Sequence, residues 1–209
     1  MANKEREMLE RRLGQRQIRC KPGEFRAIEN ENGEKFIEGY FAVFNSNYEI
    51  GPGMTESIDP AAFDETISGD VRCLTDHDTR LVLGRTTAKT FELEVDQRGL
   101  FGRARINPND TDATNTHARV ERRDVTQASF GFDILDEETD YRQDGSIHWT
   151  IKKVKLYECS VVTFPAYLDT DLSARSNQLE QIKKRERERW AAKMRSRLKK
   201  DQGDPTEKE

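Results

Sequence analysis

The feature that most constrains this chain is where its apolar residues lie. From Phe36 to Ala166 short β-branched and aromatic runs recur, while both ends are almost wholly charged and polar. Overall 35% of the residues are charged and 34% hydrophobic, so only this middle stretch can bury a core. Runs such as Lys35–Phe44, Phe91–Val95, Leu100–Ile106 and Ala128–Leu135 are strand-like in length and content, and turn residues separate them. Several strands with only short helices predict a mainly β fold with helices (α+β), an antiparallel, closed or nearly closed barrel-like core.

Local signals refine this. Phe25–Glu29 and Lys35–Phe44 read as a hairpin around Asn32-Gly33, a dipeptide suited to a turn with positive φ. Asp59-Pro60 is the chemistry of a helix start. Val71–Leu74 reads as a strand leading into His77, and Leu81–Arg85 as the next one. Gln97-Arg98-Gly99 reads as a turn, 109–123 as a polar helix, Asp136–Gly145 as an acidic solvated loop, and Ile147–Thr163 as one long or bent strand region.

Residues 1–22 read as a charged, partly disordered N-terminal extension, 23–174 as the folded domain, and 175–209 as a helical tail with a frayed end. Net charge is −4, unevenly placed. Arg175–Lys200 carries eleven Lys/Arg against three Glu, and Leu179, Ile182, Trp190, Met194 and Leu198 form a narrow apolar stripe interrupted by Glu186. An amphipathic basic helix on an acidic body suggests docking on something acidic or on the body itself.

No run reaches the roughly 18 apolar residues of a membrane span, and the first residues lack the apolar core of a secretion signal. Cys20, Cys73 and Cys159 are odd in number and share no metal-ligand spacing, which points to a reduced intracellular compartment. No phosphate-cradling glycine loop, dinucleotide fingerprint or histidine-rich metal motif is present; no cofactor is expected. With one aromatic in the basic tail, no direct nucleic-acid role is expected either.

Three residues bear on chemistry. His77 lies between Asp76 and Asp78, and imidazole is the side chain best suited to general-base work near neutral pH; the same setting also fits a capped turn. Ser129 lies in Ala128-Ser129-Phe130-Gly131-Phe132. Two-residue alternation puts the phenylalanines on one face and Ser129 with Gly131 on the other, leaving a small-residue surface that presents a hydroxyl. A satisfied structural serine would look alike. Glu158 is embedded in an apolar, β-branched stretch, where it either points to water or is held for a purpose. His117 and His148 read as solvated, and Cys73 as a buried structural thiol.

Taken in order, Gly39–Asn45, Ile58–Phe63, Asp76-His77-Asp78 with Leu83-Gly84-Arg85, Ser129–Phe132 and Leu156–Ala166 resemble the prohead (procapsid maturation) proteases of tailed bacteriophages, a family similar in fold to the herpesvirus assembly proteases. The resemblance covers roughly residues 25–175. It implies a serine endopeptidase with Ser129 as nucleophile, His77 as general base and Glu158 orienting His77, with Asp76 or Asp78 as the fallback. By analogy the oxyanion donors lie around Thr163-Phe164-Pro165-Ala166. The chain departs from the family in having Asp76 where Asn often precedes the histidine, and Arg123-Asp124-Val125 where glycine often precedes the serine strand. The implied partners are the major capsid protein with its scaffold segment, and the chain itself, inside the immature capsid in the host cytoplasm. The tail would bind scaffold. The rival readings are a non-catalytic assembly protein using the same domain for docking, and a small β-barrel hydrolase acting on another substrate.

Overall fold

The structure is a computed structural model and describes residues 13, 16–22, 25–51 and 53–164. The basic tail and its apolar stripe lie outside the described residues. Among the described residues eleven strands run in chain order: β1 (Arg16–Pro22), β2 (Arg26–Glu29), β3 (Lys35–Val43), β4 (Tyr48–Gly51), β5 (Met54–Ile58), β6 (Arg72–Thr75), β7 (Asp78–Arg85), β8 (Phe91–Val95), β9 (Gly99–Arg105), β10 (Gln127–Tyr141) and β11 (Ile147–Val162). A 3-10 turn, Pro60–Phe63, follows β5, and the α-helix α1 (Thr111–Glu121) precedes β10.

The mainly β class is as expected, but the strands do not close into a barrel. They form a four-stranded antiparallel sheet, β2-β3-β9-β8, and a separate seven-stranded mixed sheet. In the large sheet β11 is the branch point. One edge pairs antiparallel with β10, while the other receives β5 along Ile147–Ile151 and then β6 along Glu158–Val161, both parallel. The 3-10 turn between β5 and β6 lets one chain segment run the length of that edge in two pieces, and the Asp59 N–H caps the break by donating to the Ile151 carbonyl. Alternating apolar residues specify strands facing a core, and they fit a barrel and two stacked sheets equally well; here β11 shares one edge between β5 and β6, and the four-stranded sheet stays separate.

Capping chemistry fits the sequence reading. The Asp59 carboxylate accepts from the Ala61 N–H with Pro60 in the first turn, and Asp110 caps α1 by accepting from Asp112 and Ala113. The β2–β3 hairpin forms, though its loop spans residues 30–34: Asn30 Oδ1 accepts from the Asn32 and Glu34 N–H groups, and Gly33 supplies the positive φ of 77°. Two expectations are corrected. The acidic stretch after Leu135 is strand as far as Tyr141, because every residue from Glu137 to Tyr141 pairs with β11. Arg16–Pro22, assigned from sequence to a partly disordered lead-in, is an edge strand paired with β10 over its whole length.

Between the sheets lie Phe41, Phe63, Phe91, Phe130 and Phe132, all essentially inaccessible. Phe63 meets Phe130 edge-on at 5.9 Å between ring centroids, and Phe130 stacks on Phe132 at 4.9 Å. Each such ring contributes on the order of 1.5–3 kcal/mol by leaving water. The β10–β11 register shifts between Gly131 and Phe132: Gly131 faces Glu158, Phe132 faces Leu156, and Tyr157 is the extra, bulged residue.

Candidate active site

The hairpin turn joining β6 to β7 carries His77. Thr75 pairs with Asp78, so Asp76 and His77 alone make the turn, and both hold left-handed backbone, φ 50° and 59°. That geometry favours glycine or asparagine and costs a larger residue of order 1 kcal/mol. Asp76 offsets it. Its N–H donates to the Val161 carbonyl at 2.9 Å, while its carboxylate accepts from the Thr163 N–H at 2.6 Å and the Thr163 hydroxyl at 3.0 Å. The turn is thereby latched to the end of β11.

His77 reaches back along β11. Its Nδ1 lies 2.7 Å from Glu158 Oε1, and since a carboxylate can only accept, Nδ1 carries the proton and Nε2 is the basic nitrogen. Glu158 is 3% exposed. Its other oxygen, Oε2, accepts from the Ser160 hydroxyl at 2.6 Å, two residues on along the strand and therefore on the same face. Gly131 faces this carboxylate from β10: a Cβ on Gly131 would stand 2.4 Å from Glu158 Oε1. Only glycine leaves room for the carboxylate there.

Ser129 shares this face. It pairs with Ser160 across the strands, a relation that puts Cβ atoms about 5 Å apart. The alternation expected from sequence holds, with Phe130 and Phe132 in the core and Gly131 on the side of Glu158. The expected small-residue surface does not: Ser129 and Ser160 are both fully buried. The Ser129 hydroxyl donates to the backbone carbonyl of Arg19 in β1 at 3.1 Å. The structure thus links His77, Glu158 and Ser160 in one chain of hydrogen bonds and sets Ser129 beside it, its proton directed at β1.

The fallback partners of His77 have other work. Asp78 binds Arg80, which holds its carboxyl down to about 2, and Asp76 is spent on Thr163. The Thr163 N–H, within the turn suggested for oxyanion donors, is likewise committed to Asp76. Cys73 and Cys159 are register partners in the core, and burial pushes both thiols well up, so neither is a ready nucleophile. His117 is buried with Nε2 3.4 Å from the Ile28 carbonyl. His148 sits between the Thr55 and Ser57 hydroxyls at 2.8 and 2.9 Å; a serine–histidine contact exists there, but a hydroxyl stands where a carboxylate would stabilise the imidazolium.

Ser160, the Asp76–Thr163 latch and the Arg19 carbonyl were not singled out by sequence reasoning. A cavity of about 630 Å³ lined by residues including Lys35, Thr90, Arg105 and Thr114 contains none of the site residues. Among the described residues no group of three or more His, Cys, Asp or Glu side chains is arranged to hold a metal ion, and no helix is long and apolar enough to cross a membrane.

A family model described as caudovirus prohead serine protease matches residues 21–185. The prohead protease of Enterobacteria phage HK97 is 28% identical over 146 residues, which is 66% of this chain and 59% of that protein. The match therefore spans less than two thirds of the relative's length. The capsid assembly protease of bacteriophage T4 superposes with a TM-score of 0.46 at 12% identity, covering 71% of this chain and 97% of that one.

Proposed function

Because this chain belongs to the caudovirus prohead serine protease family, we propose that it is a serine endopeptidase that cuts scaffold segments of capsid proteins, and itself, inside the immature capsid. The observation that carries this reading is the Glu158 carboxylate, buried and shared between His77 Nδ1 and Ser160, on the face of the sheet that holds Ser129. A buried carboxylate in an apolar strand is costly unless fully partnered, and here its partner is an imidazole, a side chain able to take a proton from a serine. Residues 23–174 are the catalytic body in this reading, with residues 1–22 and 175–209 as extensions, the latter suited to a helical scaffold.

In the reaction the Ser129 hydroxyl turns from the Arg19 carbonyl to donate to His77 Nε2. Ser129 Oγ then attacks a peptide carbonyl carbon as Nε2 takes the proton, and Glu158 stabilises the imidazolium through Nδ1–H. The proton passes to the leaving amine, and water, activated by the same imidazole, hydrolyses the acyl-enzyme. Backbone N–H groups are the fitting oxyanion donors. Co-expression with the major capsid protein tests the reading: Ser129→Ala abolishes processing of the capsid protein and of the chain itself while the fold stays intact by circular dichroism. Normal processing by that variant would remove Ser129 from the mechanism and favour a docking role for the domain.

A further inference from the structure

Arg19, whose carbonyl oxygen faces the Ser129 hydroxyl, is gripped at its other end as well. Its Nε donates to Glu56 Oε1 at 2.5 Å and Nη2 to Oε2 at 2.8 Å, and the guanidinium lies over the Phe132 ring, 5.7 Å from the centroid. Glu56, in β5, is 0% exposed and Arg19 is 5% exposed. As a way of holding a core together this is poor design, because an apolar pair of equal volume is commonly as stable or more so. As a recognition pocket it is apt: a two-point carboxylate beside an aromatic ring accepts an arginine and rejects a side chain that leaves the acid unpaired.

The strand carrying Arg19 also has the bearing of a ligand. It adds antiparallel to the edge of β10, from Arg16 opposite Asp133 to Pro22 opposite Gln127, which is how proteins commonly bind extended peptides. The family match begins at residue 21, just past the Arg19–Cys20 bond, so most of β1 lies outside the part shared with the family. Resting on the protease reading above, we propose that β1 is the chain's own first substrate, seated in the cleft, and that Glu56 is the specificity-determining residue, selecting arginine or lysine at the residue whose carbonyl is attacked.

The bond cut is Arg19–Cys20. Ser129 Oγ bonds to the Arg19 carbonyl carbon and its proton moves to His77 Nε2. The carbon–nitrogen bond to Cys20 breaks, and the proton goes to the new Cys20 amine. Water then splits the ester, leaving an Arg19 carboxylate and a free Ser129. Departure of residues up to Arg19 empties the Glu56 pocket and the β10 edge from Phe130 to Asp133 for substrates in trans.

The test uses the full chain. Intact-mass measurement of the parent shows a product lacking residues 1–19. Ser129→Ala and Arg19→Glu chains stay whole at that bond, while Arg19→Lys is cut more slowly. Synthetic peptides spanning residues 14–25, with position 19 as arginine, lysine, leucine or glutamate, are then offered to the parent enzyme, so the result does not depend on a buried variant folding. Arginine and lysine peptides are cut with kcat/KM higher by roughly 30-fold or more, the scale of leaving a buried charge unpaired. Glu56→Gln removes that preference. Equal cutting of the leucine or glutamate peptide overturns the proposal. So does an enzyme that processes capsid protein but leaves the Arg19–Cys20 bond intact. A parent that cuts neither peptide nor capsid protein overturns the protease reading itself, and this proposal with it.

Discussion

Glu158 shows how far a single residue can be read from sequence. A carboxylate inside an apolar strand stands out by its cost, and so does a histidine between two acids; both were visible without coordinates. Their pairing was not, because 81 residues separate them and only the packing of β6 against β11 brings them together. Ser160 was illegible for the opposite reason: serines are common, and nothing local marks one whose hydroxyl serves a neighbour's carboxylate. Glu158→Gln keeps the shape and removes the charge, so the imidazolium loses its stabiliser and the tautomer is no longer fixed. Turnover by this variant falls roughly 10²–10⁴-fold with the capsid substrate while KM moves little. Unchanged kcat in steady-state assays would free Glu158 of any part in the reaction.

The element that decides the site is the β6–β7 turn. Strands were legible where two-residue alternation survives, as in β8, where Phe91, Leu93 and Val95 are more buried than Glu92 and Glu94, whereas β4 and β5 were not read as strands. The turn was only half legible: the Asp-His-Asp pattern marks it, but not which aspartate does what. The structure gives Asp76 the latch to Thr163 and Asp78 a surface pair with Arg80. Asp76→Ala removes both latch bonds and places alanine in left-handed backbone, lowering unfolding free energy in urea by about 1–3 kcal/mol and displacing His77, so kcat drops more than KM rises. Asp76→Asn retains an acceptor and tolerates the backbone, and its loss is much smaller. Equal behaviour of the two variants would dissociate the latch from the site.

For the molecule as a whole, composition fixed the class, while the edge strand Arg16–Pro22 and the closure of the sheets lay beyond it. A barrel and a branched pair of sheets use the same alternating strands, and the difference rests on β5 and β6 sharing one edge of β11, a long-range pairing no local pattern encodes. Global stability carries a signature of that edge. His148, on β11 between Thr55 and Ser57, has its imidazole pushed below the ordinary range by burial and by the nearby Arg142. The unfolded chain therefore takes up the proton first as pH falls. Stability from this source is intact above about pH 6.5 and is lost on acidification toward the lower folded value. The urea midpoint drops less between pH 7.5 and 5.5 in His148→Gln than in the parent; an equal drop would exclude His148 as a contributor.

The bulge at Tyr157 bears on inheritance. Upstream of it Leu156 faces the core opposite Phe132, and downstream Glu158 faces Gly131 on the other side, so one surplus residue inverts the parity of everything that follows. Were the strand to run without the bulge while keeping all its residues, Glu158 and Ser160 would turn inward and Cys159 and Val161 outward, whereas loss of Tyr157 itself would leave Glu158 opposite Gly131. Descendants of this gene can exchange the tyrosine or lose it, provided that Leu156 stays opposite Phe132 and Glu158 opposite Gly131.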